Sequence, residues 1–133
     1  MNAKKISLPL LLLILLMLPA FYGCPGGNPT ITLTVTDCET DKITITDSTR
    51  VSSRSGNQWQ FSTTITVKCD GKIAKDAEIK IKFWFKDAFK RKTNSKGQIS
   101  YHDNLHSNPK GQKFKVTIKG KNNKDKTEEF TVK

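Results

Sequence analysis

Beyond Gly23 the sequence has no apolar pattern at helical spacing, no internal repeat and no low-complexity block. Without a 3.6-residue period there is no amphipathic helix to build with, which points away from helical folds. Histidine is scarce: His102 and His106 are the only two, set among Asp103, Asn104, Ser107, Asn108 and Pro109. That is loop composition, and the reading is a solvated loop, with no metal expected. No CxxC pair is present to hold zinc. There is no Gly-x-Ser-x-Gly elbow and no glycine-rich phosphate loop ahead of a helix. Glu128 and Glu129 are neighbours in a predicted strand, so they point to opposite faces and cannot flank one sugar bond. No catalytic residue and no cofactor are expected; a small secreted enzyme or metal-binding protein is the lowest of the readings.

Acidic residues are also few, 12 against 23 basic ones, for a net charge of +11. Lys4 and Lys5 are the only charges before Cys24, which leaves +9 on the remainder. Such a balance favours anionic partners or simply solubilises the surface. At 133 residues, about 110 of them after the N-terminal segment, the chain allows one small domain with one thin core.

What is present begins with an export pattern. Lys4 and Lys5 precede an apolar run, Ile6 to Leu18, and the small Gly23 stands before Cys24. Ile6 to Tyr22 would span about 25 Å as a helix, short of the roughly 30 Å hydrocarbon core. Phe21-Tyr22-Gly23-Cys24 resembles the lipoprotein box of prokaryotes, with Phe21 where that pattern has Leu. The resemblance implies cleavage before Cys24 and a diacylglycerol on its sulfur. Residues 1–23 are then a signal peptide, 24–29 a flexible tether (Pro-Gly-Gly-Asn-Pro after the cysteine) and 30–133 the domain. An uncleaved anchor helix and free secretion are the alternatives. Each places the domain outside the cytoplasm.

Within the domain, alternation of apolar and polar residues predicts strands. These are Ile31–Val35, Ile43–Ile45, Trp59–Lys68, Glu78–Lys86, Gln98–Tyr101, Lys113–Lys119 and Thr127–Val132. Asp47–Gln58, Lys72–Asp76 and His102–Gly111 read as loops, and Ala88–Thr93 as a short strand or a connection. Asp70-Gly71 and Asn94-Ser95-Lys96-Gly97 are turn signals. Trp59, Phe61, Thr63, Ile65 and Val67 share one face of their strand; Ile79, Ile81, Phe83 and Phe85 share one face of theirs. Seven to eight short strands with turns between them predict an all-β antiparallel sandwich behind the signal helix.

Asp70-Gly71-Lys72 leading to Ala77-Glu78-Ile79, with the later Thr93-Asn94-Ser95-Lys96-Gly97 turn, resembles two groups of modules. These are the bacterial immunoglobulin-like domains of invasin/intimin type and the transthyretin-like, carboxypeptidase-regulatory-like domains. The resemblance runs roughly from Phe61 to Ile118. It implies an immunoglobulin-like sandwich that serves as spacer, adhesin or binding platform, and no particular activity.

Cys38 and Cys69 are the two cysteines left besides Cys24. In an exported domain they are expected to form a disulfide across a 31-residue interval, rather than remain free thiols or bind metal. If the inward parities hold, Lys80, Lys82, Trp84 and Lys86 on one strand and Lys113, Lys115 and Lys119 on another face outward together. That would make a lysine-covered sheet with an indole at its centre, suited to an anionic polymer, either an acidic polysaccharide or a nucleic acid, with Trp84 stacking on a sugar or base. The plainer alternative packs Trp84 under the following connection and leaves the lysines as a guarded edge. The expected function is a non-catalytic, lipid-anchored module of the cell envelope. Its partners are the membrane and either an acidic surface polymer or another envelope protein, with no specific nucleic acid.

Overall fold

The computed structural model describes residues 35–133. Eight strands follow in order: β1 (Ile43–Arg54), β2 (Gln58–Cys69), β3 (Lys72–Ile73), β4 (Glu78–Lys82), β5 (Phe89–Lys92), β6 (Gln98–Leu105), β7 (Lys113–Lys119) and β8 (Asp125–Thr131). In the first sheet β1 lies along one side of β2, while β3 and β6 share the other. The second sheet has the order β5-β4-β7-β8. Every pairing is antiparallel. Among the described residues the only helical segments are three-residue 3-10 turns at Val35–Asp37, Thr40–Lys42 and Lys121–Asn123.

Alternation explains why two layers form. Phe61, Thr63, Ile65, Val67 and Cys69 of β2 are buried, and the residues between them are half-buried or exposed. Ile79 and Ile81 of β4 and Phe114, Val116 and Ile118 of β7 do the same from the other sheet. Burying each large apolar side chain contributes about 1.5–3 kcal/mol. A one-residue slip of β2 would bring Ser62, Thr64 and Thr66 inward instead, so the pattern itself sets the register. Phe61 sits where the layers meet. Its ring meets Phe83 edge-on at 5.4 Å and Phe114 at 6.4 Å.

The turns follow from residues that tolerate a left-handed backbone. Asp70 (φ 49°) and Gly71 (φ 75°) reverse the chain between the paired Cys69 and Lys72, a two-residue hairpin loop. At Asn94–Gly97 the Asn94 carboxamide oxygen accepts from the amides of Lys96 and Gln98, at 2.9 and 3.0 Å. Gly97 has φ 68°, and a Cβ there would lie 2.7 Å from the Val67 carbonyl oxygen. Only glycine fits both constraints.

Cys38 and Cys69 are disulfide-bonded, with Cα atoms 6.0 Å apart. The bond ties the segment before β1 to the end of β2. Lys121 reinforces it, donating its amide to the Cys38 carbonyl at 2.8 Å and pairing its ammonium with Glu39 at 2.7 Å.

Several expected boundaries move. The strand expected at Ile31–Val35 lies outside the described residues except for Val35, which is buried in a 3-10 turn. Asp47–Arg54 is strand rather than loop, carried by pairing with Gln58–Ile65. Within Lys72–Asp76, Lys72 and Ile73 form the short β3. Phe89–Lys92 is a strand, and β6 continues through His102 to Leu105. The largest change is at β4, which ends at Lys82: the chain turns at Trp84-Phe85 because Phe83, Trp84 and Phe85 all pack their rings around Phe61.

Candidate functional site

The outward face of the second sheet is built by register. Lys80 of β4 lies opposite Lys90 of β5 and Thr117 of β7, and Thr117 lies opposite Thr127 of β8. Their side chains share one face because cross-strand partners point the same way. The two threonine hydroxyls are 2.9 Å apart and form a low floor. On one side of this row stand Lys82, Lys115 and Glu129; on the other stand Lys119 and Asp125, with Glu78 on β4. Short residues between long ones leave a shallow groove across the strands, about 490 Å³ in volume, open to solvent.

Two of its lysines are braced. Glu78 accepts from the Lys90 ammonium at 2.8 Å. Glu129 accepts from Lys113 at 2.8 Å and lies 3.6 Å from Lys115. The Lys90 hydrogen bond and charge, with Lys92 and Lys119 beyond it, hold the Glu78 carboxyl below the usual carboxylate range. Lys113 does the same for Glu129, whose hydrogen bond and charge in turn raise the Lys113 ammonium. Among the described residues no ion pair involves Lys80, Lys82 or Lys119. The first two, with Lys90 and Lys115, also make two direct like-charge pairs across strands, Lys80 with Lys90 and Lys82 with Lys115. Such pairs are unfavourable unless screened or neutralised.

Of the residues expected on this face, Lys80, Lys82, Lys115 and Lys119 line one groove. Lys113 stands further along β7, tied to Glu129. Trp84 and Lys86 do not join it, because β4 has already ended. Trp84 is half-buried, its ring 5.5 Å from that of Phe61 and near-perpendicular to it. It is not an indole displayed at the centre of the sheet, although its edge borders a small hollow with Lys82, Lys113 and Lys115. The Lys86 ammonium lies 5.4 Å from the ring centres of both Phe89 and Tyr101. Lys90 was missed by sequence reasoning, since Phe-Lys-Arg-Lys does not alternate in polarity; a strand starting at Phe89 would have placed Lys90 and Lys92 outward.

The other outer surface differs in kind. Rows such as Thr46–Thr66–Gln98 and Ser48–Thr64–Ser100 cross the first sheet, with Arg50 and His102 on either side of Ser62. His102 is thus on a strand rather than in the expected loop. Among the described residues no three His, Cys, Asp or Glu side chains come together in a way that could hold a metal.

No family model matches the chain, and no curated protein or solved structure is significantly similar to it. Function therefore has to be argued from the surface. A groove with ammonium groups above a hydroxyl floor can hold anions by charge and hydrogen bonding. Its carboxylates are already engaged by lysines or lie on the outer wall.

Proposed function

We propose that this chain is an exported module of the cell envelope, held to a membrane through a diacylglycerol on Cys24, with a non-catalytic β-sandwich as its interaction domain. The observation that carries the reading is the Cys38–Cys69 disulfide. Disulfides persist in oxidising compartments, in agreement with an export leader at residues 1–23. The bond also accounts for both domain cysteines, leaving Cys24 as the third thiol, next to the glycine of the lipoprotein-like box.

The domain is immunoglobulin-like in this reading. Support comes from strand order: β1-β2-β6 in one layer and β5-β4-β7-β8 in the other follow the A-B-E and C-F-G groupings of such sandwiches, with β5 as an added edge strand.

Mass spectrometry of the chain recovered from bacterial membranes tests the anchor. The expected mature N-terminus is an acylated Cys24, and C24A is expected to abolish acylation and leave the protein unprocessed or released. An intact Met1, or a membrane-free chain cleaved elsewhere with Cys24 unmodified, overturns it.

A further inference from the structure

We infer that the groove across the second sheet is a binding site for a linear acidic polysaccharide bearing carboxylates, one short stretch of polymer lying over Thr117 and Thr127. The location of the ligand rests on the extracytoplasmic reading above; the site itself rests on the groove.

Charge selects an anion. Lys80, Lys82 and Lys119 line the groove without an ion pair among the described residues, and in each of the two cross-strand lysine pairs one ammonium, that of Lys80 or Lys82, has no carboxylate partner of this kind. Lys80 and Lys82 are two residues apart on β4, so their stems leave the sheet about 6.8 Å from one another. Lys90 and Lys115 are steadied by Glu78 and Glu129, so the walls are partly preorganised.

The remaining groups favour a sugar polymer over other polyanions. Glu78 and Asp125 also line the groove. They repel phosphate and carboxylate alike, but they can accept hydrogen bonds from sugar hydroxyls, which a bare phosphate chain does not carry. The Thr117 and Thr127 hydroxyls add donor and acceptor capacity at the floor. A single-stranded nucleic acid wants aromatic platforms for its bases, and no aromatic side chain lines this groove, since Trp84 is packed against Phe61 beyond it. An anionic bilayer is best met by a surface with apolar groups to insert. The one large apolar side chain exposed among the described residues is Ile73, on the first sheet.

The test is binding of the purified full chain, kept in detergent, to polygalacturonate, with dextran, polyphosphate, single-stranded DNA and phosphatidylglycerol vesicles as comparison probes. The expected result is saturable binding to polygalacturonate, weakened roughly tenfold or more between about 50 and about 500 mM salt. K80E/K82E should lose at least about tenfold in affinity, while R50A/R54A on the opposite sheet stays within about twofold. All four side chains are exposed, and melting temperatures no lower than that of the native chain will show that folding is intact in the variants. Polygalacturonate should also raise the melting temperature of the native chain and not that of K80E/K82E. Unchanged affinity in K80E/K82E overturns the inference, as does equal or stronger retention by polyphosphate, DNA or vesicles. The assay reads the sheet face whether or not Cys24 is acylated, so failure of the groove and failure of the anchor are told apart.

Discussion

The amide of Ala77 donates to the hydroxyl oxygen of Thr93 at 2.9 Å, inside the sandwich, where Thr93 is 2% exposed. The same hydroxyl donates to the Ala74 carbonyl. Backbone bonds from Asp76 to Thr93 and from Thr93 to Ala77 complete the junction. One side chain therefore satisfies the backbone of the connection through which the chain leaves the first sheet for the second.

Thr93→Val keeps the shape and removes the hydroxyl, leaving the Ala77 amide and the Ala74 carbonyl buried with one partner fewer each. The expected loss is about 1–3 kcal/mol in a urea unfolding series. Thr93→Ser should recover most of it. A valine variant as stable as the native chain would show that the hydroxyl is not what holds this junction.

The disulfide closes a loop over 31 residues of sequence. On the chain-entropy account C38A/C69A should lose about 3.5–4 kcal/mol, and a reductant should have the same effect on the native chain. Thermal unfolding with and without reductant checks this. The double variant should be insensitive to the reductant, because Cys24 is then the only cysteine and has no intramolecular partner.

Phe61 and Trp84 separate stability from recognition. Phe61 is fully buried and contacts five rings, so Phe61→Ala should cost about 3–5 kcal/mol. Trp84 is only half-buried against the same ring, and Trp84→Ala should cost roughly half as much. Its polygalacturonate affinity should stay within about twofold of the native chain, measured at a temperature where both are folded. A Trp84→Ala variant with intact stability and lost binding would restore the indole to the ligand.

How far the fold could be read in advance depended on whether burial or pairing makes each strand. β2 and β7 are visible because Phe61 to Val67 and Phe114 to Ile118 alternate without a break. The outer half of β1 was not: from Asp47 to Arg54 its one apolar residue is Val51, and the hydrogen bonds to β2 supply what burial does not. Phe83-Trp84-Phe85 misled in the other direction. Three successive aromatics extend an alternating pattern on paper, but gathering all three around Phe61 demands a turn. That one turn keeps Trp84 and Lys86 out of the groove, though Trp84 still borders Lys82, Lys113 and Lys115, while the non-alternating β5 adds Lys90. The lysine positions on β4 and β7 survived because parity alone decides them.

Tyr101 supplies a pH dependence. Its ring lies in the core, 4.6 Å from Phe83 and 5.6 Å from Phe89, and its hydroxyl donates to Asp103 at 2.6 Å. Burial first, and then the bond to the Asp103 carboxylate, push the phenol up to about 12. In the unfolded chain it titrates near 10. The folded state thus holds its proton more tightly, and the stability this adds is complete below about pH 10 and is lost as pH rises through about 12. Over that window the native chain should lose about 1.4 kcal/mol per pH unit more than Tyr101→Phe, which has no proton to hold. Below pH 10 the variant should be the less stable of the two by roughly 1–2 kcal/mol, for want of the hydrogen bond. Urea unfolding of both chains across this range, with Cys24 blocked to prevent disulfide exchange, measures the difference, and the lysines common to both cancel from it. Parallel curves for the two chains would mean that the phenol titrates alike in the folded and unfolded states.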